Sequence, residues 1–533
     1  MKFTLHIVGF VALLGCLAVP ADANRFHQYT ERYEQPPNPV RLETATLLGG
    51  PGTEWLSGGG VQSDGTVVVA GTALGPELEL AGTAVTAVLG SDTTEPPGHD
   101  GERTPRWDAE GGTGFVVWLS PDLQQITRAV RLPWRAGGIT DLVVGPDDGV
   151  YITGKVGAAF QTLGEAADVT PAQTVAEGET WGYIARLADD GEGIDWIRRF
   201  RDAYKGPRLR RAPDEGIFLE AADYFIFTTD GDVRDSAEGR RTESWYRAVS
   251  PLDFSFAVGY DRNTHTGREP WRQPTLAVVG PDGESRGNWY RWSARLVGED
   301  RYRLVSDSSF SNNSIHFADD GTLWAVGWSD GGNTVLERDP RDLDTRITHR
   351  GLGFSSWGAG VLSLSHIIQL DPETGDVLNK TLWCGYLPGG DRDRPNSAGV
   401  NVLRVAKDGS VLIAGRSAAG LIQTGDQLLG EGTPGGPYVA ILEGDLSSIR
   451  FSSALPATGQ VLLHDNAARG ERWSIRSGVA DGRVKAVYVC GVVEEQGSYT
   501  EPRPAPTQDA VQSRFGGGRT DGYLMVFDLG EAQ

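Results

Sequence analysis

The sequence predicts an all-β protein, a β-propeller made of repeated four-stranded units. Three observations predict it: a hairpin phrase with an Asp-Gly turn recurs along the chain, a strand-turn-strand phrase falls between its copies, and the chain ends carry complementary halves of that second phrase. A recurring unit that contains only strands and turns is typical of a radial or stacked β repeat. The 72 Gly and 29 Pro residues agree with a chain that turns often.

The hairpin phrase supplies two strands of each unit. It reads VQSDGTVVVAG (61–71), VGPDDGVYITG (144–154), FADDGTLWAVG (317–327) and VAKDGSVLIAG (405–415), with looser copies at 215–229 and 477–491. An Asp-Gly pair between β-rich runs is a strong hairpin signal, because tight primed turns require positive φ angles. The six hairpins therefore predict six units.

The second phrase supplies the remaining strands. Its copies are GFVVWLSPDLQQITRAVRL (114–132), GYIARLADDGEGIDWIRRF (182–200), HIIQLDPETGDVLNKTLW (366–383) and YVAILEGDLSSIRFSSAL (438–455), with a shorter relative, TLAVVGPDG (275–283). We expect a unit to contain a first strand, the hairpin pair and an outer strand that precedes the turn of the second phrase. The count is six blades, or seven if SWYRAVSPLDFSFAVGY (244–260), treated as an insertion, is a blade of its own.

The chain ends predict a closed ring. RLETATLLGG (41–50) matches only the later half of the second phrase, and DGYLMVFDLG (521–530) matches only its first half. An open stack of repeats would need polar caps at both ends. We therefore expect the N-terminal and C-terminal strands to pair, which removes exposed sheet edges.

These phrases resemble a bacterial extracellular β-propeller repeat, often called SBBP. GGPGTEW, VQSDGTVVVAGTA and GFVVWLSPDLQQ are similar to the GG-x-G-x-D, DG-x-VYVAG and aFVa-L-x-x-DG phrases of that family. The likeness to the family's phrases is best at 43–190 and 400–450, and it is weakest at 190–310. The resemblance implies a propeller but no particular chemistry, so no active site is carried over from the family.

The N-terminus predicts export. In MKFTLHIVGFVALLGCLAVPADA, Lys2 precedes an apolar run (7–19) and the small-x-small sequence Ala21-Asp22-Ala23. The predicted divisions are a signal peptide (1–23), an N-terminal extension (24–40) and the propeller (41–533). The alternative is a lipoprotein signal in which Cys16 carries the lipid anchor. Either signal places the protein outside the cell, at its surface or in the periplasm.

Composition excludes several classes of function. The 533 residues are 39% hydrophobic and 23% charged, which excludes a disordered chain. The formal net charge of −22 disfavours nucleic acid and an anionic membrane surface as partners. No later stretch approaches the ~20 consecutive apolar residues of a membrane span, so we expect a protein that does not span the membrane. A monomer is expected, although the sequence does not determine the oligomeric state. Cys384 and Cys490 are predicted to be buried free thiols, with a disulfide between them as the alternative.

Long connections are predicted to carry the function. In the predicted unit they join the third strand to the fourth, at 72–113, 155–181, 230–273, 328–365, 416–437 and 492–521. All six would lie on one face of the molecule, because successive connections of an antiparallel sheet alternate between its two ends. Rigid scaffolds usually carry binding residues on loops. The alternative is that these loops have no function, because a long surface loop costs little free energy of folding.

A basic stretch is the strongest electrostatic feature of this acidic chain. WIRRFRDAYKGPRLRRAP (196–213) and the nearby DRNTHTGREPWRQP (261–274) supply the candidate ligand-binding residues Arg199, Arg201, Lys205, Arg208, Arg210, Arg211, Arg268, Trp271 and Arg272. Arginine binds carboxylate or sulfate bidentately and Trp stacks on sugar rings, so an anionic polysaccharide fits. The alternative is a solvated surface on which these arginines pair with the abundant Asp and Glu side chains.

Catalytic and metal-binding patterns are sparse. If the protein is an enzyme, His265 with Tyr260 or Tyr204 is the candidate acid–base pair of a polysaccharide lyase or glycoside hydrolase. His316 and His366 lie inside strand phrases and are predicted to be hydrogen-bonding residues in the core or between blades. Asp230, Asp232 and Asp235 form a candidate Ca²⁺ loop without EF-hand spacing, and solvated turn aspartates are the alternative. No other cofactor is expected.

Together these patterns predict an exported, non-catalytic β-propeller. It would act as a binding or scaffolding module for extracellular carbohydrate or protein through the long connections on one face. The alternative is a lyase or hydrolase that acts on anionic glycans, because propellers host both kinds of function.

Overall fold

The protein is all-β in the part of the chain that the structure describes. The computed structural model describes residues 40–74, 78–87, 89, 112–132, 138–155, 167–168, 180–202, 207–237, 246–265, 270–291, 307–310, 315–331, 334–347, 351–352, 363–387, 394–424, 435–455, 477–480, 485–494, 507–518 and 520–530. Within these ranges the only helical element is a 3₁₀ turn at Val335–Glu337. No helix there is long and apolar enough to span a membrane.

The strands are short and follow one another closely. In chain order they are β1 (Arg41–Leu48), β2 (Thr53–Val61), β3 (Val67–Leu74), β4 (Glu79–Leu80), β5 (Thr83–Ala84), β6 (Thr113–Leu119), β7 (Ile126–Arg131), β8 (Ile139–Val144), β9 (Val150–Lys155), β10 (Ala167–Asp168), β11 (Thr180–Leu187), β12 (Ile194–Asp202), β13 (Arg208–Arg211), β14 (Ile217–Glu220), β15 (Tyr224–Phe227), β16 (Val233–Ala237), β17 (Tyr246–Val249), β18 (Phe256–His265), β19 (Pro270–Val279), β20 (Ser285–Trp289), β21 (Ser308–Ser309), β22 (Ile315–Phe317), β23 (Leu323–Asp330), β24 (Ser363–Leu370), β25 (Val377–Trp383), β26 (Gly385–Leu387), β27 (Arg394–Asn396), β28 (Ala398–Val405), β29 (Val411–Ser417), β30 (Gly436–Leu442), β31 (Ile449–Ala454), β32 (Ser477–Ala480), β33 (Lys485–Glu494) and β34 (Thr520–Asp528).

Seven four-stranded antiparallel units follow one another along the described chain. They are sheet 1 (β2-β3-β6-β7), sheet 2 (β8-β9-β11-β12), sheet 3 (β13-β14-β15-β16), sheet 4 (β17-β18-β19-β20), sheet 5 (β22-β23-β24-β25), sheet 6 (β28-β29-β30-β31) and sheet 7 (β32-β33-β34-β1). Two short strands extend these units, since β10 pairs in parallel with β12 in sheet 2 and β21 pairs with β23 in sheet 5. A single residue pair, Thr53 with Thr520, joins sheets 1 and 7 into one hydrogen-bonded sheet. The segment 244–260, read from the sequence as an insertion or a further unit, contributes β17 and the start of β18 to sheet 4.

The grouping of strands within a unit differs from the predicted one. Each Asp-Gly hairpin joins the first and second strands of a sheet, as β2 pairs with β3 and β8 with β9. Both strands of the second phrase lie in one sheet, as β6 pairs with β7. The prediction that the later strand begins the next unit is therefore wrong. A short turn joins strands that are adjacent in the same sheet, and the second phrase contains such a turn.

The Asp-Gly turns are three-residue loops and not primed two-residue turns. In the first copy, Gln62 N–H donates to Thr66 O (2.9 Å) and Gly65 N–H donates to Gln62 O (3.0 Å). Only Gly65 has a positive φ, of 90°, which identifies a type I turn followed by one left-handed residue. Asp64 fixes the loop because its Oδ1 accepts the N–H of Thr66 at 2.8 Å.

The first and last described strands pair, as the sequence predicts. β1 runs antiparallel to β34 from Arg41 opposite Asp528 to Leu48 opposite Gly522. β1 is thus the fourth strand of a sheet whose other three strands come from the C-terminal end of the chain. Its buried Leu42 and Leu47 pack in a cluster with Phe527.

The core lies between neighbouring sheets. Hydrophobic clusters fill the space between each sheet and the next one along the chain, beginning with Val68 of sheet 1 and Tyr183 of sheet 2. A further cluster joins sheet 7 to sheet 1 through Val487 and Phe115. Cys384 is buried and free in the cluster between sheets 5 and 6, as predicted. The Cys490 side chain lies outside the described residues.

Glycine lets the first strands of sheets 1 and 2 approach closely. A Cβ atom on Gly58 of β2 would lie 2.3 Å from the backbone N of Leu142 in β8. That distance is shorter than any van der Waals contact, so only glycine fits. The run Gly58-Gly59-Gly60 therefore brings the backbones of β2 and β8 together, beside the cavity described below.

Candidate functional site

A cavity lies where the first strands of the sheets meet. β2 contacts β8, β8 contacts β13, β17 contacts β22, and β28 contacts both β22 and β32, while β32 contacts β2. The cavity has a volume of about 150 Å³ and is lined by residues from the first strands of sheets 1 to 6. It also reaches two of the short turns that follow those strands.

The lining carries an excess of positive charge. Its cationic residues are Arg208, Arg210, Arg211, Arg247, Arg404 and Lys407, and its carboxylates are Asp141, Glu220 and Asp319. Six cations against three carboxylates stand in contrast to a chain with a formal net charge of −22. The cavity is therefore a local region of positive potential inside an acidic protein.

Arg210 is the most firmly held cation of the lining. Leu209 packs into the cluster between sheets 2 and 3, so alternation along β13 turns Arg210 to the cavity side. Its Nη1 donates to Phe317 O at 2.9 Å, its Nη2 donates to Val249 O, and its guanidinium lies 4.7 Å from the centre of the Phe218 ring. Arg210 thus ties sheet 3 to sheets 4 and 5. Burial lowers its pKa to about 10, so it remains charged at neutral pH.

The other arginines are held less completely. Arg211 Nε donates to Val144 O at 2.6 Å, and Arg404 Nη1 donates to Leu403 O at 2.7 Å. Arg247 Nε lies 3.7 Å from Glu220 Oε1. Burial, and then the charge of Arg208, lower the pKa of Arg404. Arg208 and Arg404 are therefore close enough for their like charges to repel.

The titratable groups of the cavity respond to burial and to this positive charge. Burial and the charges of Arg404 and Arg210 lower the pKa of His316 well below its ordinary value, so its imidazole is neutral at physiological pH. Burial raises the pKa of Asp141 to about 6, although Leu209 N (3.0 Å) and Leu142 N (2.9 Å) donate to its carboxylate. Burial also raises the pKa of Asp319.

The structure divides the predicted basic stretch between two sheets. Arg208, Arg210 and Arg211 come together in the cavity. Arg199 and Arg201 lie on β12, the fourth strand of sheet 2, which β9 and β11 separate from the first strand, β8. The candidate residues of this stretch therefore lie on two different sheets, because a new sheet begins within it. Tyr204 and Lys205 lie outside the described residues.

The outer arginines have partners of their own. The Arg199 guanidinium lies 4.6 Å from the centre of the Trp181 ring. Arg201 Nη2 lies 2.9 Å from Asp223 Oδ1, and both side chains are largely buried between sheets 2 and 3. For Arg201 the alternative reading, pairing with a carboxylate, is the correct one.

The second predicted basic group is only partly described. Arg272 is bound to Asp307, with Nη2 2.9 Å from Oδ2, and its guanidinium stacks 4.4 Å from the Trp328 ring centre. Tyr260 donates its hydroxyl proton to Asn288 Oδ1 at 3.4 Å. The backbones of His265 and Trp271 lie in β18 and β19, but their side chains, like the whole of Arg268, lie outside the described residues. The His265 acid–base pair remains a prediction.

Sequence reasoning placed His366 correctly and His316 incorrectly. His366 is fully buried and its Nε2 lies 2.9 Å from Ser329 Oγ, as expected of a core hydrogen-bonding residue. His316, predicted to have the same role, lines the cavity instead. The two histidines differ because His316 lies on β22, the first strand of sheet 5, and the first strands surround the cavity. His366 lies on β24, the third strand of the same sheet.

A signal for the missed cavity residues exists in the turns. In the turns that join the first and second strands of sheets 1, 2, 3, 5 and 6, one residue has a positive φ: Gly65, Asp148, Glu215, Gly321 and Gly409, respectively. Counting back five residues from each gives Gly60, Val143, Arg210, His316 and Arg404, and all five line the cavity. Aligning the turns therefore identifies one layer of side chains that surrounds the cavity.

The candidate calcium residues lie on a turn and on β16. Asp230, Asp232 and Asp235 are exposed, and Asp235 Oδ1 accepts the N–H of Ser236 at 2.8 Å. Across the described ranges, no three or more His, Cys, Asp or Glu side chains are grouped so that they could hold a metal ion.

Comparisons with known proteins give no name to this arrangement. No family model and no curated protein match the chain. A solved structure from Dyadobacter fermentans DSM 18053, described as a protein of unknown function, is 10% identical over 91% of this chain and 98% of that chain, with a TM-score of 0.33. A likeness at that TM-score identifies neither fold nor function.

Proposed function

We propose that the protein is a seven-bladed β-propeller whose sheets are the blades. The support is the order of the sheets, since each packs on the next and sheet 7 packs on sheet 1. The pairing of β1 with β34 would close such a ring in the way propellers avoid open edges. The likeness to the SBBP repeat agrees with this proposal.

The proposed function is non-catalytic binding of an acidic extracellular carbohydrate by an exported protein. One observation carries it: six cationic side chains line a cavity at the centre of an acidic chain. Clustering like charges without an equal number of counter-charges is unfavourable, and a bound anion would relieve that repulsion. Arginine is also the side chain best suited to planar acidic groups such as the carboxylate of a uronic acid.

The position of the cavity changes the proposed binding face. Asp319 and Lys407 of the lining lie in the turns 318–322 and 406–410. The cavity therefore reaches the end of the sheets that carries the short turns, whereas Arg208, the first residue of β13, lies toward the end that carries the long connections. We propose that acidic residues of a ligand enter from the short-turn end, while the long connections remain candidates for contact with a protein.

The experiment is a binding screen of acidic and neutral polysaccharides against the purified protein. Polygalacturonate or a sulfated glycan should bind, dextran should not, and affinity should fall as salt is raised from 0.05 M to 0.5 M, because the interaction is between charges. Equal binding of dextran, or no binding of any acidic glycan, would contradict the proposal.

One observation favours a second function, an elimination reaction on uronates. His316 is neutral and lies beside Arg404 and Arg210, the arrangement of a base that faces a developing negative charge. In such a lyase, His316 would take the proton from the carbon next to the uronate carboxylate. The bond to the leaving oxygen would break, a carbon–carbon double bond would form, and the leaving oxygen would gain a proton from water. Unsaturated uronate, measured by ultraviolet absorbance and absent with His316→Gln, would establish this reaction in place of simple binding.

A further inference from the structure

We propose that the cavity binds one small carboxylate no larger than a single uronic acid, held between Arg208 of β13 and Arg404 of β28. This inference rests on the proposed function and specifies its ligand. The carboxylate has two sources, a free organic acid or the terminal uronate of a glycan, and both present the same group to the same arginines.

Size sets the first limit on the ligand. A cavity of about 150 Å³ has the volume that accommodates a molecule of roughly benzene size. A polysaccharide segment of several sugars is much larger, so an extended chain cannot lie within the cavity. One ring or one short carbon chain fits.

Hydrogen bonding and charge identify the two arginines that would hold the carboxylate. Arg210 and Arg211 are committed to backbone carbonyls, which makes them part of the cavity wall. Arg208, by contrast, makes no hydrogen bond and no ion pair within the described part of the chain, and its side chain is solvent-exposed although it lines the cavity. Arg404 makes one backbone hydrogen bond. Burial and then the charge of Arg208 lower its pKa, although Asp141 and Glu220 act in the opposite direction. A carboxylate between the two guanidinium groups would neutralise this repulsion and accept bidentate hydrogen bonds.

The remaining lining favours an organic acid over an inorganic anion. Val143, Ile315 and Val405 contribute apolar surface to the same cavity. A sulfate or phosphate would leave this surface in contact with water, whereas the carbon skeleton of an organic acid would cover it. His316, being neutral, can exchange hydrogen bonds with hydroxyl groups of the ligand without adding charge.

Isothermal titration calorimetry of the purified protein tests this inference with four probes: succinate, D-galacturonate, trigalacturonate and neutral D-galactose. At least one of the two small carboxylates should bind at least tenfold more tightly than galactose. Arg208→Gln and Arg404→Gln should each weaken that binding at least tenfold. Arg128→Gln is the matched control, because Arg128 lies on β7, the fourth strand of sheet 1, where its guanidinium stacks on Trp118 of β6, and its loss changes the net charge equally.

The probes also separate the two sources. Tighter binding of succinate identifies a free acid, and equal binding of galacturonate and trigalacturonate identifies a glycan terminus. The inference is overturned if neither small carboxylate binds, or if both cavity variants bind like the Arg128→Gln control. If polygalacturonate binds while small carboxylates do not, the proposed function survives without this site. If succinate binds while no acidic saccharide does, the site survives without the proposed function.

The Arg404→Gln protein requires a check of folding, since Arg404 is buried more deeply than Arg208. Thermal unfolding within about 2 °C of the unmodified protein suffices for both variants. Arg208 is exposed, so Arg208→Gln remains decisive even if Arg404→Gln fails to fold.

Discussion

The strands β12 and β13 follow one another in the chain and are both rich in arginine, yet the fold gives them opposite roles. On β12, the fourth strand of sheet 2, Arg201 pairs with Asp223 and Arg199 stacks on Trp181. On β13, the first strand of sheet 3, Arg208 and Arg210 line a cavity whose cations outnumber its carboxylates. Position within the sheet, more than position in the sequence, therefore decides whether an arginine stabilises the fold or remains available to a ligand.

The largest effect is expected from Arg210→Met, because Arg210 combines both roles. The substitution leaves the carbonyls of Phe317 and Val249 without their donor and removes the contact with the Phe218 ring. Each buried acceptor left unpaired costs about 1–3 kcal/mol, offset in part by removal of a buried charge. We expect the free energy of unfolding in urea to fall by about 2–3 kcal/mol. A loss under about 0.5 kcal/mol would mean that these bonds do not join the sheets.

A smaller loss of stability is expected from Arg201→Gln on β12. The side chains of Arg201 and Asp223 are only 19% and 11% exposed, so the substitution leaves a largely buried carboxylate without its ion pair. We expect a loss of about 1–2 kcal/mol in the same urea experiment. Affinity for small carboxylates should not change. Weaker carboxylate binding in a protein that remains folded would place Arg201 in the site and remove the contrast between the two strands.

The dependence of binding on pH sharpens the description of the cavity. The pKa of Asp141 is about 6, so raising the pH through 6 ionises this lining carboxyl group and adds a negative charge. Affinity for galacturonate should therefore fall about threefold to tenfold between pH 5 and pH 7.5, on the order of 1 kcal/mol. His316 stays neutral in this range because its pKa lies well below the ordinary value. Titrations at five pH values with the unmodified protein and with Asp141→Asn, which should lack this dependence, provide the check.

The smallest effect is expected from Arg199→Gln. Its guanidinium stacks on an indole ring at the far end of sheet 2, and such contacts contribute about 0.5–1 kcal/mol at exposed sites. Stability should therefore fall by less than about 1 kcal/mol and carboxylate affinity should stay within twofold of the unmodified protein. A tenfold loss of affinity would mean that Arg199, a candidate ligand-binding residue from the sequence, belongs to the site.

The side-chain hydrogen bonds in the hairpin turns explain which parts of the fold can be predicted from the sequence. The Asp of each turn bonds the N–H two residues on, as Asp320 and Asp408 do, so the hairpins carry a recognisable phrase. Sheet 4 lacks it, because the residues from Ser250 to Ser255 form a longer turn in which Phe254 takes the positive φ of 58°. The sequence therefore predicts an insertion or a seventh blade at this place. The predicted strand grouping differs from the observed one because short turns, whose hydrogen-bonded ends are four to five residues apart in the chain, join both strands 1 and 2 and strands 3 and 4.

The candidate site is less readable than the fold, since its residues come from strands far apart in the chain. Arg208, Arg210 and Arg211 attract notice because they are adjacent. His316 and Arg404 look like isolated polar residues in strands, and they reach the cavity only because β22 and β28 are first strands. Net charge also conceals the site, because an acidic total does not reveal a cationic interior.

The most direct test of the central claim is a crystal structure of the protein grown with D-galacturonate. We predict density for one ligand in the cavity between the first strands, with its carboxylate between the guanidinium groups of Arg208 and Arg404. The same map would show whether sheets 1 to 7 close into a ring. A ligand bound only at the long connections, or a cavity in which Arg208 pairs with a carboxylate of the protein itself, would contradict the assignment of this cavity as the binding site.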